Sequence, residues 1–134
     1  MEIVWEDILK LIITALVAIL IGYDREKRNK AAGIRTNMIV GMIACLIMII
    51  SIRIANSDVG MSNNADPARL AAQVISGIGF LGAGTIIKQQ DKIEGLTTAA
   101  SLWAVAGLGL AIGYGLYTLS IAAALIIFIA LFIK

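Results

Sequence analysis

The side chains able to do chemistry gather in a few places. Asp24, Arg25 and Glu26 stand together and run into Lys27, Arg28 and Lys30; Arg35, Thr36 and Asn37 follow soon after, and Thr97 and Thr98 come much later. Carboxylates, guanidinium groups, hydroxyls and an amide in such numbers can do one of two things. They can pair into an ion network, or they can offer oxygens to a cation or a partner. A second polar set is Asp66, Arg69 and Gln73, in which Arg69 and Gln73 lie one helical turn apart and share a face. Catalysis is not expected. The chain has no histidine, its one cysteine (Cys45) sits inside an apolar run, and no nucleophile–base pair is apparent, so it reads as a non-enzyme. No nucleic-acid partner is expected either, because the net charge is only +2.

These residues are set between long stretches that carry no charge. The chain of 134 residues is 60% hydrophobic and 15% charged, whereas a soluble domain carries about 25% charged residues. Its mean hydropathy is +0.93. The expectation is an all-α, polytopic integral membrane protein forming a single transmembrane domain over residues 1–134, with the lipid bilayer as its surroundings. Five spans are expected, at about 8–23, 35–53, 68–88, 96–114 and 116–133. The N-terminus does not read as a secretory signal, since no basic residue precedes the apolar run. Asp24 with Arg28 and Glu26 with Lys30 are i,i+4 pairs, so the first helix should continue past the bilayer before turning near Gly33. Asp66-Pro67 is a helix start, and residues 88–94 read as a short charged turn.

Basic residues set the orientation. The first connection holds Arg25, Lys27, Arg28, Lys30 and Arg35, and the third holds Lys88 and Lys92. The N-terminus is therefore expected outside and the C-terminus in the cytoplasm. A shift of 62 residues superposes Gly22 on Gly84, Gly33 on Gly95 and Thr36 on Thr98. This is either a parallel repeat of residues 10–53 and 72–115 or a coincidence among few residue types.

Residues 71–87 carry no acid and no base yet hold Gly77, Gly79, Gly82 and Gly84. Between residues 77 and 82 they also match the G-x-G-x-x-G dinucleotide pattern, but no strand precedes them, so that reading is rejected. Glycine is a poor helix former, and in lipid its use is to let helix backbones approach. The stretch is expected at the centre of the bundle. Ala100, Ala104 and Gly107 draw a second smooth ridge, and Trp103, away from the interfacial belts, is expected to pack against the glycine helix. Such faces in a small chain point to a homodimer.

Four motifs then combine. Gly22-Tyr23-Asp24-Arg25-Glu26, Ala32-Gly33-Ile34-Arg35-Thr36, Ser76-Gly77-Ile78-Gly79-Phe80-Leu81-Gly82-Ala83-Gly84 and Gly95-Leu96-Thr97-Thr98-Ala99-Ala100, with Leu102-Trp103 after them, closely resemble the membrane domain of the MgtC/SapB family. The resemblance implies a bacterial inner-membrane protein linked to growth in low magnesium. It leaves two activities open, a component of Mg²⁺ transport or a regulator of other membrane proteins, the ATP synthase among them. Asp24 stands where the family more often has glutamate. The soluble C-terminal domain of many members is not expected, since the sequence stops at Lys134. No cofactor is assigned; Mg²⁺ enters as a ligand or substrate, with no defined metal ligands. Transport meets a difficulty, because Mg²⁺ is usually held by carboxylates and no Asp or Glu lies in the core of a span. Arg69 would also repel it unless Asp66 or Asp58 offset the charge.

Overall fold

The computed structural model describes residues 4–57, 66–89 and 91–133. Asp58 and Lys134 lie outside the described residues. Five helices follow one another: α1 (Val4–Lys27), α2 (Ile34–Ala55), α3 (Ala68–Gly84), α4 (Leu96–Tyr114) and α5 (Tyr117–Ala130). The start of α1 carries Glu6 and Asp7 and its last turn Arg25 and Lys27, the charge order that the helix dipole favours. The helix runs on to Lys27, helped by the Asp24–Arg28 pair. At the start of α3 the Asp66 carboxylate accepts a hydrogen bond from the Ala68 N–H at 2.9 Å, satisfying one of the free donors of the first turn.

The connection between α3 and α4 differs from the simple charged turn expected of it. β1 (Ile87–Gln89) and β2 (Lys92–Glu94) pair antiparallel, with Ile87 opposite Glu94 and Gln89 opposite Lys92. Gly95 then reverses the chain with φ of 94°, and a Cβ there would collide with the Thr85 carbonyl. Only glycine fits that turn.

α2 and α4 are long and apolar enough to cross a membrane. α3 and α5 are shorter apolar helices; the 14 residues of α5 reach only about 21 Å, against a hydrocarbon core of about 30 Å.

The centre of the bundle is α4, which packs against each of the other four helices. Ala18, Ile21, Val105, Leu108 and Ala124 join α1, α4 and α5 in one cluster, while Ala44, Met48, Ile78, Ala106 and Leu110 join α2, α3 and α4 in another. The expectation that the glycine helix occupies the middle is corrected here: α3 buries only Ile78 and Gly82 among its residues. The glycines that bring backbones together lie elsewhere. A Cβ on Gly109 would meet the Gly41 carbonyl and the Ala44 Cβ, and one on Gly113 would lie 2.7 Å from the Cys45 carbonyl oxygen. The close crossing is therefore α2 on α4. Composition marks α3 as smooth, but smoothness only permits an approach, and it is α4 that carries core residues on most of its circumference.

Candidate functional site

The residues at positions 24–37 and 95–98 meet at one end of the bundle. Arg25 is 4% exposed, and its Nη2 donates to the Thr98 hydroxyl oxygen at 2.8 Å, tying α1 to the first turn of α4. Burial pushes the guanidinium pKa below its ordinary value; Asp24 opposes the shift and Arg28 adds to it. Arginine nonetheless keeps its proton in proteins. Asp24 is equally buried, and its Oδ1 accepts from Arg28 Nε at 3.1 Å. Arg28 also lies over the Phe132 ring at 5.5 Å, which draws the residues after α5 to the same place.

Asn37 is fully buried and donates through Nδ2 to the carbonyls of Ala32 (2.7 Å) and Gly33 (2.9 Å). It holds the tight connection in which Asn29 and Ala32 take positive φ. The Glu26 carboxylate accepts from the Ile34 N–H at 3.1 Å and so caps the start of α2. Beneath them Gly22 lets α1 touch α2, since a Cβ there would lie 2.6 Å from Ile34 Cα.

Among the described residues, three buried polar atoms in this group have no hydrogen-bond partner: Asp24 Oδ2, Arg25 Nε and Asn37 Oδ1. Such atoms are costly to leave bare. The structure thus brings Asp24, Arg25, Asn37 and Thr98 into the interior and leaves Glu26, Arg35, Thr36 and Thr97 exposed. Thr97 still lines a polar cleft of about 600 Å³ with Arg25, Arg28, Lys30 and Thr98.

The opposite end holds Asp66, Arg69 and Gln73, all exposed. Asp66 caps α3, and the Ser51 hydroxyl donates to the Pro67 carbonyl, pinning the start of α3 to α2. Gln73 lines an apolar groove between α2 and α3. An ionic cluster at this end was not among the expected site residues. Arg53 of α2 pairs with Asp7 of α1, Lys10 lies 3.7 Å from Glu6, and the Tyr117 hydroxyl donates to Glu6 at 3.4 Å. The i,i+4 spacing of Glu6 and Lys10 was a visible signal; the Asp7–Arg53 pair joins residues 46 positions apart and had none.

Of the expected packing set, only part finds a neighbour within the chain. Gly82 touches Ala99 of α4, but a Cβ on Gly77, Gly79, Gly84 or Gly107 would meet nothing within 4 Å. Trp103 borders a small cavity with Ile75 and Ile78 of α3 but stays 60% exposed; Ala100 is exposed with it, and Ala104 is half-buried. The reason is rotational. Burying Leu102, Val105, Ala106 and Gly109 toward α1 and α2 turns the ridge of small residues on α4 outward. Among the described residues there is no cluster of three or more acidic, cysteine or histidine side chains placed to hold a metal ion.

The MgtC family model matches residues 11–134. The chain is 44% identical over 118 residues to the putative magnesium transporter YhiD of Escherichia coli K12, covering 87% of this chain and 54% of that protein. It is 44% identical over 125 residues to protein SapB of Bacillus subtilis (92% and 54% covered), and 41% identical over 124 residues to protein MgtC of Salmonella typhimurium (92% and 50%). The chain therefore spans about half the length of the curated relatives it matches. None of these names designates an enzyme. No solved structure matches it.

Proposed function

Because the chain belongs to the MgtC family, we propose that it is a multi-pass protein of a bacterial inner membrane that serves magnesium homeostasis as a regulatory module. In this reading it crosses five times, with the N-terminus outside, and acts by helix packing. The observation that carries the reading is the bare face of α3 marked by Gly77 and Gly84, two helical turns apart, where an added Cβ would meet nothing within 4 Å. Beside that face runs an apolar groove of about 480 Å³, lined by Ile43, Ile47, Val74 and Leu81 among others. Glycines cost helix stability, and in lipid their return is a close neighbour. A second copy of the chain is the first occupant, forming a homodimer, and spans of other membrane proteins are the regulated targets. The cations around Asp24 favour this reading over a Mg²⁺ pathway, because Arg25, Arg28 and Lys30 repel the ion.

The second reading, Mg²⁺ as a transported substrate, draws on the relative named a putative magnesium transporter. It has one structural support. Asp24 Oδ2 and Asn37 Oδ1 are buried oxygens without partners, the ligand type that Mg²⁺ takes.

Two measurements separate these readings. Purified protein in liposomes with an internal magnesium dye should show no Mg²⁺ entry, and cross-linking should trap a dimer that Gly77→Leu abolishes. Entry that disappears in Asp24→Asn overturns the regulatory reading in favour of transport. A dimer indifferent to Gly77→Leu removes the packing face from it.

A further inference from the structure

The polar cleft has features that neither packing nor Mg²⁺ explains. Arg25, Arg28 and Lys30 line it, against a single carboxylate among the described residues, Glu94. Arg25 is almost wholly buried, spends one nitrogen on Thr98, and keeps its Nε without a partner. The start of α4 opens on the same space. Among the described residues no side chain caps this helix, and its first backbone bond runs from the Ala99 N–H to the Gly95 carbonyl at 2.8 Å. The N–H groups of Leu96, Thr97 and Thr98 thus have no acceptor within α4. Free N–H groups at a helix start, a buried guanidinium with an open donor, two hydroxyls and a lysine together suit a phosphate group.

The cleft also continues along the apolar length of the bundle. An apolar groove of about 440 Å³ runs between α4 and α5 and is lined by Ala100, Ala104, Ile127 and Ala130. Leu96, Thr97 and Leu131 border both cleft and groove. A free phosphate would use only the cleft, whereas a phospholipid would use both. We infer that this end of the bundle binds an anionic phospholipid, its phosphodiester head group held by Arg25, Lys30 and the start of α4 and an acyl chain lying between α4 and α5. The inference rests on the reading of the chain as a membrane protein with this end at the inner leaflet. Basic pockets between helices on that side are suited to anionic head groups.

The test uses the full chain in neutral detergent. Short-chain phosphatidylglycerol, phosphatidylcholine of equal chain length and inorganic phosphate are titrated while thermal unfolding and native mass spectra are recorded. Phosphatidylglycerol should raise the unfolding temperature and add one molecule per chain, and phosphatidylcholine should do neither. Lys30→Gln, an exposed position that leaves the buried pairs intact, should weaken phosphatidylglycerol by about fivefold. Ala130→Phe should block the groove, lowering lipid affinity while leaving any binding of inorganic phosphate unchanged. Arg25→Gln should abolish binding, with Lys30→Gln deciding the matter if that variant does not fold.

Equal binding of the two lipids, or indifference to Lys30→Gln, overturns the proposal. Phosphate that binds alone, with phosphatidylglycerol unaffected by Ala130→Phe, assigns the cleft to a soluble anion and overturns the lipid claim. Dimer formation in the same samples is read separately. Lost lipid binding with an intact, Gly77-dependent dimer defeats this inference only, and the converse defeats only the packing reading.

Discussion

A guanidinium at 4% exposure has surrendered most of its water and must recover the cost from its neighbours. For Arg25 the recovery is one hydrogen bond to Thr98 and the nearby charge of Asp24. Thr98→Val keeps the shape and removes the acceptor, so unfolding in detergent should come earlier by about 1–3 kcal/mol. Arg25→Gln should also destabilise, and the double variant should cost less than the sum, because the two share one bond. Strict additivity would mean that the 2.8 Å contact contributes nothing. The sequence made these residues legible as a polar set, since they interrupt long runs that carry no charge. It did not show which of them turn inward. Thr97 and Thr98 are adjacent and alike, and only the rotation of α4 buries one and exposes the other.

At the scale of the element, α3 and α4 divide what the sequence assigned to one helix. A Cβ on Gly109 or Gly113 would meet backbone atoms of α2, while one on Gly77 or Gly79 would meet nothing within 4 Å. Gly109→Ala should therefore destabilise by about 1–3 kcal/mol through overpacking. Gly77→Ala should leave the isolated chain unharmed or firmer by up to about 1 kcal/mol. Thermal unfolding of the two variants in a detergent that holds the chain monomeric checks both, and the opposite order would return α3 to the centre. The helices themselves were legible from runs of apolar residues and from Asp66-Pro67, whose carboxylate does cap α3. Their arrangement was not. In lipid both the core-facing and the outward-facing sides are apolar, so no polar stripe marks the outside, and a small-residue face reads alike whether its neighbour belongs to the same chain or another. The 62-residue shift places Gly33 and Gly95 at the N-caps of α2 and α4, yet their backbones differ, with φ of −82° and 94°. The shift therefore carries no argument about a shared site.

Across the whole molecule, ionic groups collect at two opposite ends. One holds Asp24, Arg25, Arg28 and Glu26, and the other Glu6, Asp7, Lys10 and Arg53. Lys27, Arg28 and Lys30 make the first end the more basic, and the positive-inside rule turns that asymmetry into the proposed orientation. The orientation is open to direct measurement, because the native thiol does not interfere: Cys45 is fully buried in the core between α2 and α4. Asn29 and Ser57 are exposed and lie at opposite ends of α2. In intact cells a membrane-impermeant maleimide should label Ser57→Cys and spare Asn29→Cys; in inside-out vesicles the pattern should reverse. Labelling of Asn29→Cys from outside would put Arg25 and the cleft on the outer face, away from the leaflet on which the lipid proposal depends. Labelling of both positions from one side would mean that α2 does not cross, and the five-span scheme would fall with it.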